Sequence, residues 1–102
     1  MKQIAVIGSG QMGNGIAHVF AQNGYPVTLI DIAQAQLEKA LSTIEKNMDR
    51  QVAKEMITPE LKSAAMGRLT TTTDIAEGVK NADLVIEAAT ERIDLKFIKV
   101  SE

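Results

Sequence analysis

Gly8, Gly10 and Gly13 stand in "GSGQMG" at the spacing G-x-G-x-x-G, and Asp31 follows Gly13 by 18 residues. Where a strand turns into a helix around an anion, glycine at these positions meets three separate needs. The first makes the tight turn, the second lets a pyrophosphate approach bare backbone, and the third lets the helix pack closely on the strand. The N–H groups of Gln11, Met12 and Gly13 then lie free at the helix start, at the positive end of its dipole, and suit a phosphate. Asp31, just past the next strand, is placed to accept hydrogen bonds from both hydroxyls of an adenosine ribose. The same carboxylate repels a 2′-phosphate, so the expected ligand is NAD in preference to NADP. A bare strand-to-helix turn and a solvated loop acid are the plain alternatives for the loop and for Asp31.

This chemistry requires a strand before the loop, a helix after it and a second strand beside the first. "QIAVI" is a β-branched run ending in glycine, which reads as a strand buried on both faces. Met12, Ile16, Val19 and Phe20 fall on one helical face, and Gly24 stops that helix near 23. "PVTLID" forms the second strand, with Pro26 tolerable at its first position. Leu37, Leu41, Ile44, Met48 and Val52 then step by three and four, so a long helix runs past residue 50. "TPEL" restarts a helix with Thr58 as N-cap and Pro59 in the first turn, closed by Gly67. "LTTTTD" is a modest third strand, Asp74 and Glu77 have the capping-box spacing of a brief helix, and "DLVIEAA" is the fourth strand. The order implies an α/β, Rossmann-like parallel sheet, strands 3-2-1-4, with a helical hairpin inserted between strands 2 and 3.

The 102 residues make a single domain, 1–102. With 45% apolar and 24% charged residues the chain has the composition of a globular protein. A net charge of −2, no basic block and three aromatic side chains leave no nucleic-acid footprint. No apolar run approaches a membrane span, and "MKQIAVIG" lacks the apolar stretch of a signal peptide. The absence of cysteine excludes disulfides and fits a cytoplasmic setting. No metal-ligand cluster is expected.

Several families share the glycine fingerprint. The 37 residues from Ile32 to Arg68, read as a helical hairpin, together with "DLVIEAATERIDLK", resemble the N-terminal domain of the L-3-hydroxyacyl-CoA dehydrogenase family, and its 3-hydroxybutyryl-CoA members most. The resemblance covers Met1 to about Lys96. It implies that Gly8, Ser9, Gly10, Gln11, Met12, Gly13 and Asp31 hold NAD, that Ala88 and Ala89 lie along its nicotinamide half, and that Glu91 and Lys96 contact it. It implies that Lys54 meets the coenzyme A moiety, with Asn47 where a small hydroxyl residue is common. For Lys54 the alternative is a solvated helix lysine, and for Glu91 and Lys96 surface charges. Phe97 follows Lys96 directly, which departs from the lysine-led helix usual in relatives.

The activity so implied is interconversion of (S)-3-hydroxyacyl-CoA and 3-oxoacyl-CoA with NAD, as in fatty-acid oxidation or butyrate metabolism. The base of that reaction, a histidine held by a glutamate, lies downstream in relatives, so no catalytic residue is expected in this chain, which would bind NAD without turnover. His18, the single histidine, sits mid-helix and reads as structural. The chain is expected to lack the end of the dinucleotide-binding sheet and a C-terminal substrate and dimerisation domain. Strand Leu84–Ile86 would then be a bare apolar edge, and self-association through it or through uncovered helix faces is expected. A non-catalytic nucleotide-binding or assembly module and the cofactor domain of another NAD-dependent dehydrogenase are the other readings.

Overall fold

The computed structural model describes residues 2–88 and the strand 94–97. Four parallel strands, β1 (Ile4–Ile7), β2 (Val27–Ile30), β3 (Leu69–Thr72) and β4 (Leu84–Glu87), alternate with helices α1 (Gln11–Gln22), α2 (Gln34–Ala53), α3 (Pro59–Gly67) and α4 (Ile75–Val79). A further strand, β5 (Asp94–Phe97), completes a five-stranded sheet of order β3-β2-β1-β4-β5. The four-strand order and the helical hairpin follow the sequence reading.

Alternation along the strands builds two cores. Ile4 and Val6, Val27 and Leu29, and Ile86 face one side, where Ala17, Ala21, Leu37, Ile44, Met48 and Ala65 of the three longer helices cover them. Ala5, Ile30 and Val85 face the other side and meet Ala82, with Val79 of α4 packed against them. Burial on both faces is what a parallel sheet with crossover helices demands.

Two features depart from the sequence reading. First, the buried face of α1 consists of Gly13, Ala17 and Ala21, while Met12, Ile16 and Phe20 are half-buried and Val19 is 59% exposed. Small residues at every fourth position let the helix axis approach the sheet, and the larger apolar side chains are pushed to its flanks. Second, the Leu84–Ile86 edge is not bare. β5 pairs antiparallel with it, Leu84 opposite Phe97 and Glu87 opposite Asp94, so the unpaired backbone groups expected to drive association are taken up by the chain's own return.

The helix ends explain the turn geometry. Gly24 adopts φ 99°, Tyr25 N–H reaches the Phe20 carbonyl and Gly24 N–H the Ala21 carbonyl, a Schellman end sealed by an edge-on contact of the Phe20 and Tyr25 rings at 5.6 Å. Arg68 Nη1 donates to the same Ala21 carbonyl at 2.7 Å, tying the end of α3 to the end of α1. Thr58 Oγ1 accepts from Leu61 N–H at 3.0 Å, the expected cap. At α4, Asp74 caps Glu77 N–H, but the reciprocal arm of the box is absent: Asp74 N–H donates to Thr72 Oγ1 and the Glu77 carboxylate reaches Lys80 instead.

Candidate functional site

The register aligns Ile7 with both Ile30 and Glu87, so Gly8, Asp31 and Ala88 come next to one another at the carboxyl ends of the three central strands. Gly8 N–H donates to the Ile30 carbonyl at 2.7 Å and Ala88 N–H to the Ile7 carbonyl at 2.8 Å, which extends both ladders to the rim of the site. Ligands of open α/β sheets bind at this rim, where the strand order reverses on either side of the first strand.

The three glycines differ in what the backbone asks of them. Gly8 has φ 99°, a left-handed conformation that starts the turn. A Cβ on Gly13 would collide with the Gly8 carbonyl group, so only glycine lets α1 start so close to β1. A Cβ on Gly10 would meet nothing within 4 Å. The protein itself leaves that space open, as a pyrophosphate against the backbone requires. The helix start carries no side-chain cap and no acidic residue in its first turn, so its N–H groups have no internal anion competing for them.

An open cleft of about 480 Å³ is lined by Gly8, Ser9, Gly10, Gln11, Met12, Asp31, Ile32, Gln36 and Ala88. Ile32 is 83% exposed at its side and gives the cleft an apolar wall. A second hollow of about 340 Å³ lies behind the loop against α2, between Ser9, Gly10, Gln11, Asn14 and Gln36, Lys39, Ala40, Thr43. Asp31 is held from two directions. Its Oδ2 accepts from Ser9 N–H at 3.1 Å and Ser9 Oγ at 2.8 Å, and its Oδ1 from Ala33 N–H at 3.1 Å. Burial alone would raise the Asp31 carboxyl, but the hydrogen bonds from Ala33 and Ser9, with Ile32 N–H behind them, outweigh it and hold the group below its ordinary value. It is a carboxylate at neutral pH.

Of the remaining candidates, none of the described ones lines this cleft. Asn47, half-buried, and Lys54, exposed at the C-cap of α2, continue the helical stripe of Gln36 and Thr43, with Lys54 about 16 Å along the axis from Thr43 at 1.5 Å per residue. Neither lines the two hollows at the loop. Lys96 lies in β5 opposite Val85, two positions back from the carboxyl end of β4. Ala89 and Glu91 lie outside the described residues. His18 Nε2 is within 2.8 Å of Gln22 Oε1 and 3.1 Å of Gln51 Oε1, a link between α1 and α2 in keeping with a structural residue. Residues the sequence reading did not single out, Ile32 and Gln36, complete the cleft wall. Ile32 directly follows the acid, and Gln36 sits one turn into the helix that the acid precedes.

Residues 3–100 match the sequence model of the 3-hydroxyacyl-CoA dehydrogenase NAD-binding domain. The chain belongs to this family. A 3-hydroxybutyryl-CoA dehydrogenase of Bradyrhizobium diazoefficiens is 42% identical over 96 residues, which are 94% of this chain and 32% of that protein. The crystal structure of (S)-3-hydroxybutyryl-CoA dehydrogenase from Ralstonia eutropha matches the fold with a TM-score of 0.85 at 37% identity, over 90% of this chain and 32% of that one. A 3-hydroxybutyryl-CoA dehydrogenase structure from Escherichia coli matches with 0.84 at 43% identity, over 89% and 19%. The chain thus spans about a third or less of the length of these relatives. As an NAD-binding domain of the 3-hydroxyacyl-CoA dehydrogenase family, it presents at this rim an uncapped helix start, a loop bare at Gly10 and an ionised acid.

Among the described residues, no helix is long and apolar enough to cross a membrane, and no group of three or more His, Cys, Asp or Glu could hold a metal ion.

Proposed function

We propose that this chain is the cofactor-binding part of an enzyme that interconverts (S)-3-hydroxyacyl-CoA and 3-oxoacyl-CoA. The observation that carries the proposal is the convergence of the glycine loop, Asp31 and Ala88 at the rim of β1, β2 and β4, in a sheet that carries the helical hairpin. The free N–H groups at Gln11, Met12 and Gly13 hold the pyrophosphate, and Asp31 accepts from the adenosine ribose. Ala88, with Ala89, Glu91 and Lys96, flanks the nicotinamide half. When bound, NAD supplies the hydride acceptor, and the residues of this chain bind and orient it. The base that removes the hydroxyl proton comes from outside this stretch, since His18 is engaged with Gln22 and Gln51.

The acyl-CoA enters the proposal through the stripe on α2. Asn47 and Lys54 lead away from the loop toward the hairpin tip, where the exposed Lys54 would meet a phosphate of coenzyme A. Self-association belongs to the same reading, in a cytoplasmic setting. The outer face of α1 presents Met12, Ile16, Val19 and Phe20 around an apolar hollow of about 440 Å³, and a second copy would cover it. A strictly monomeric species at tens of micromolar in light scattering would remove that part.

The test of the whole is a calorimetric titration of the 102-residue chain with NAD, with NADP as control. Saturable NAD binding that NADP fails to match supports the reading. Equal binding of both removes the ribose role of Asp31 and the preference for NAD, and binding of neither by a folded sample overturns the reading.

A further inference from the structure

Among the described residues Ser9 is the one buried polar side chain, 2% exposed, although it stands in the middle of a phosphate loop. Its two donors face the same atom. The N–H at 3.1 Å and the Oγ at 2.8 Å both donate to Asp31 Oδ2, 22 residues away on the neighbouring strand's end. Neither donor is therefore directed at a phosphate. The left-handed turn at Gly8 immediately precedes Ser9 in the chain and brings it against the end of β2, while the Gly8 N–H holds the Ile30 carbonyl. Asp31 Oδ1 is fixed separately by Ala33 N–H. The carboxylate cannot rotate about its Cβ–Cγ bond without breaking the pair of bonds to Ser9.

We propose that Ser9 is a positioning residue for dinucleotide selectivity: it acts through Asp31, holding the carboxylate where ribose hydroxyls meet it and a 2′-phosphate is repelled. This rests on the reading of the cleft as an NAD site. An anchored carboxylate meets the ribose without first losing its own rotational freedom, and pre-organisation of this kind adds affinity for the ligand it fits. A carboxylate free to turn toward water loses both the fit to the hydroxyls and the fixed negative field that disfavours the phosphate. The lowered pKa of Asp31, which favours its ionised form, agrees with this arrangement. A residue serving the pyrophosphate itself would affect both dinucleotides alike, since that part is common to them.

The experiment is calorimetry of the full chain and of Ser9→Ala, Asp31→Ala and the double variant, each with NAD and with NADP, after thermal unfolding has shown each to be folded. Ser9→Ala is expected to weaken NAD about tenfold, the scale of one lost hydrogen bond to a charged group, and to leave NADP unchanged or tighter as the repelling field is relaxed, so that selectivity narrows by at least the same factor. In the Asp31→Ala background, Ser9→Ala should change NAD affinity less than about twofold, because the group it acts through is gone. Ser9→Cys, close in volume and a weak donor, should behave like Ser9→Ala and carries the test if the alanine variant does not fold. Unchanged NAD affinity in Ser9→Ala, an equal loss for NAD and NADP, or the same loss in the Asp31→Ala background would overturn the inference alone. Absence of binding in the folded wild-type chain would instead overturn the cofactor reading, and this inference with it.

Discussion

A methyl group added at Gly10 would meet nothing within 4 Å, whereas one added at Gly13 would run into the carbonyl oxygen of Gly8. The two substitutions therefore separate binding from folding. Gly10→Ala should cost about 1 kcal/mol or less as a change of N-cap residue, yet lower NAD affinity at least tenfold in calorimetry, because the methyl fills the space the pyrophosphate needs. Gly13→Ala should instead lower stability by about 3 kcal/mol or more in denaturant unfolding, since backbone has to move. The turn at Gly8 and the close packing at Gly13 were legible in the sequence because their spacing sets them between a strand and a helix. The orientation of Ser9 was not, because it depends on the φ of 99° at Gly8 and on a partner that only the register of β1 and β2 brings alongside. Asp31 adds a dependence on pH. Its folded-state ionisation lies below the ordinary value near 3.8, so its bonds to Ser9 and Ala33 contribute stability above that value and lose it as pH falls through the lower folded one. The stability difference between wild type and Asp31→Asn, measured by urea unfolding, should thus shrink on going from pH 6 toward pH 2. A difference constant over that range would mean that the carboxylate is not anchored.

The α2–α3 hairpin positions the site from one side only. α2 contributes Gln36 to the cleft and buries Leu37, Ala40, Ile44 and Met48 against the sheet, whereas none of the residues lining the two hollows at the loop comes from α3. Lys62 of α3 bridges to Glu45 and Asp49 of α2 at 3.2 and 2.6 Å, and those carboxylates, Asp49 first, hold its ammonium above the ordinary lysine range. Truncating a fully buried side chain of α2, as in Ile44→Ala, should cost about 2–5 kcal/mol in urea unfolding. Removing the α3 cap, Thr58→Ala, should cost about 1 kcal/mol and leave NAD affinity unchanged in calorimetry. A loss of affinity in the cap variant would show that the hairpin is coupled to the loop. At this scale the sequence was most legible where one period dominates: the three- and four-residue steps of α2, and the cap and proline that open α3. It was least legible where size or pairing decides. Ranking α1 by hydropathy alone put Val19 inside, while close approach to β1 selected Gly13, Ala17 and Ala21. The β5 segment, "DLKF", has charges at alternate positions and four residues, too few for a period, and its place is set by ladder bonds to β4 that no local pattern announces.

The proposed dinucleotide site lies on the strands that hold the molecule together. β1 pairs with both β2 and β4, and each of these pairs onward to β3 or β5, so Gly8, Asp31 and Ala88 extend the three strands that must all form before the sheet exists. A ligand bound there recognises the folded chain and not a local fragment of it, and its binding free energy adds to global stability. For a ligand that binds only the folded state, a concentration one hundred times Kd adds about 2.7 kcal/mol. In a domain of 60–100 residues each kcal/mol moves the midpoint by about 4–8 °C, so saturating NAD should raise Tm by about 10–20 °C in a thermal scan. NADP at the same concentration should raise it by only a small part of that, because the anchored Asp31 carboxylate opposes its 2′-phosphate. Equal shifts from the two dinucleotides would show that the rim accepts the common pyrophosphate and that Asp31 serves the loop alone. A shift from NAD alone would place the selectivity within these 102 residues, independent of whatever the longer relatives add.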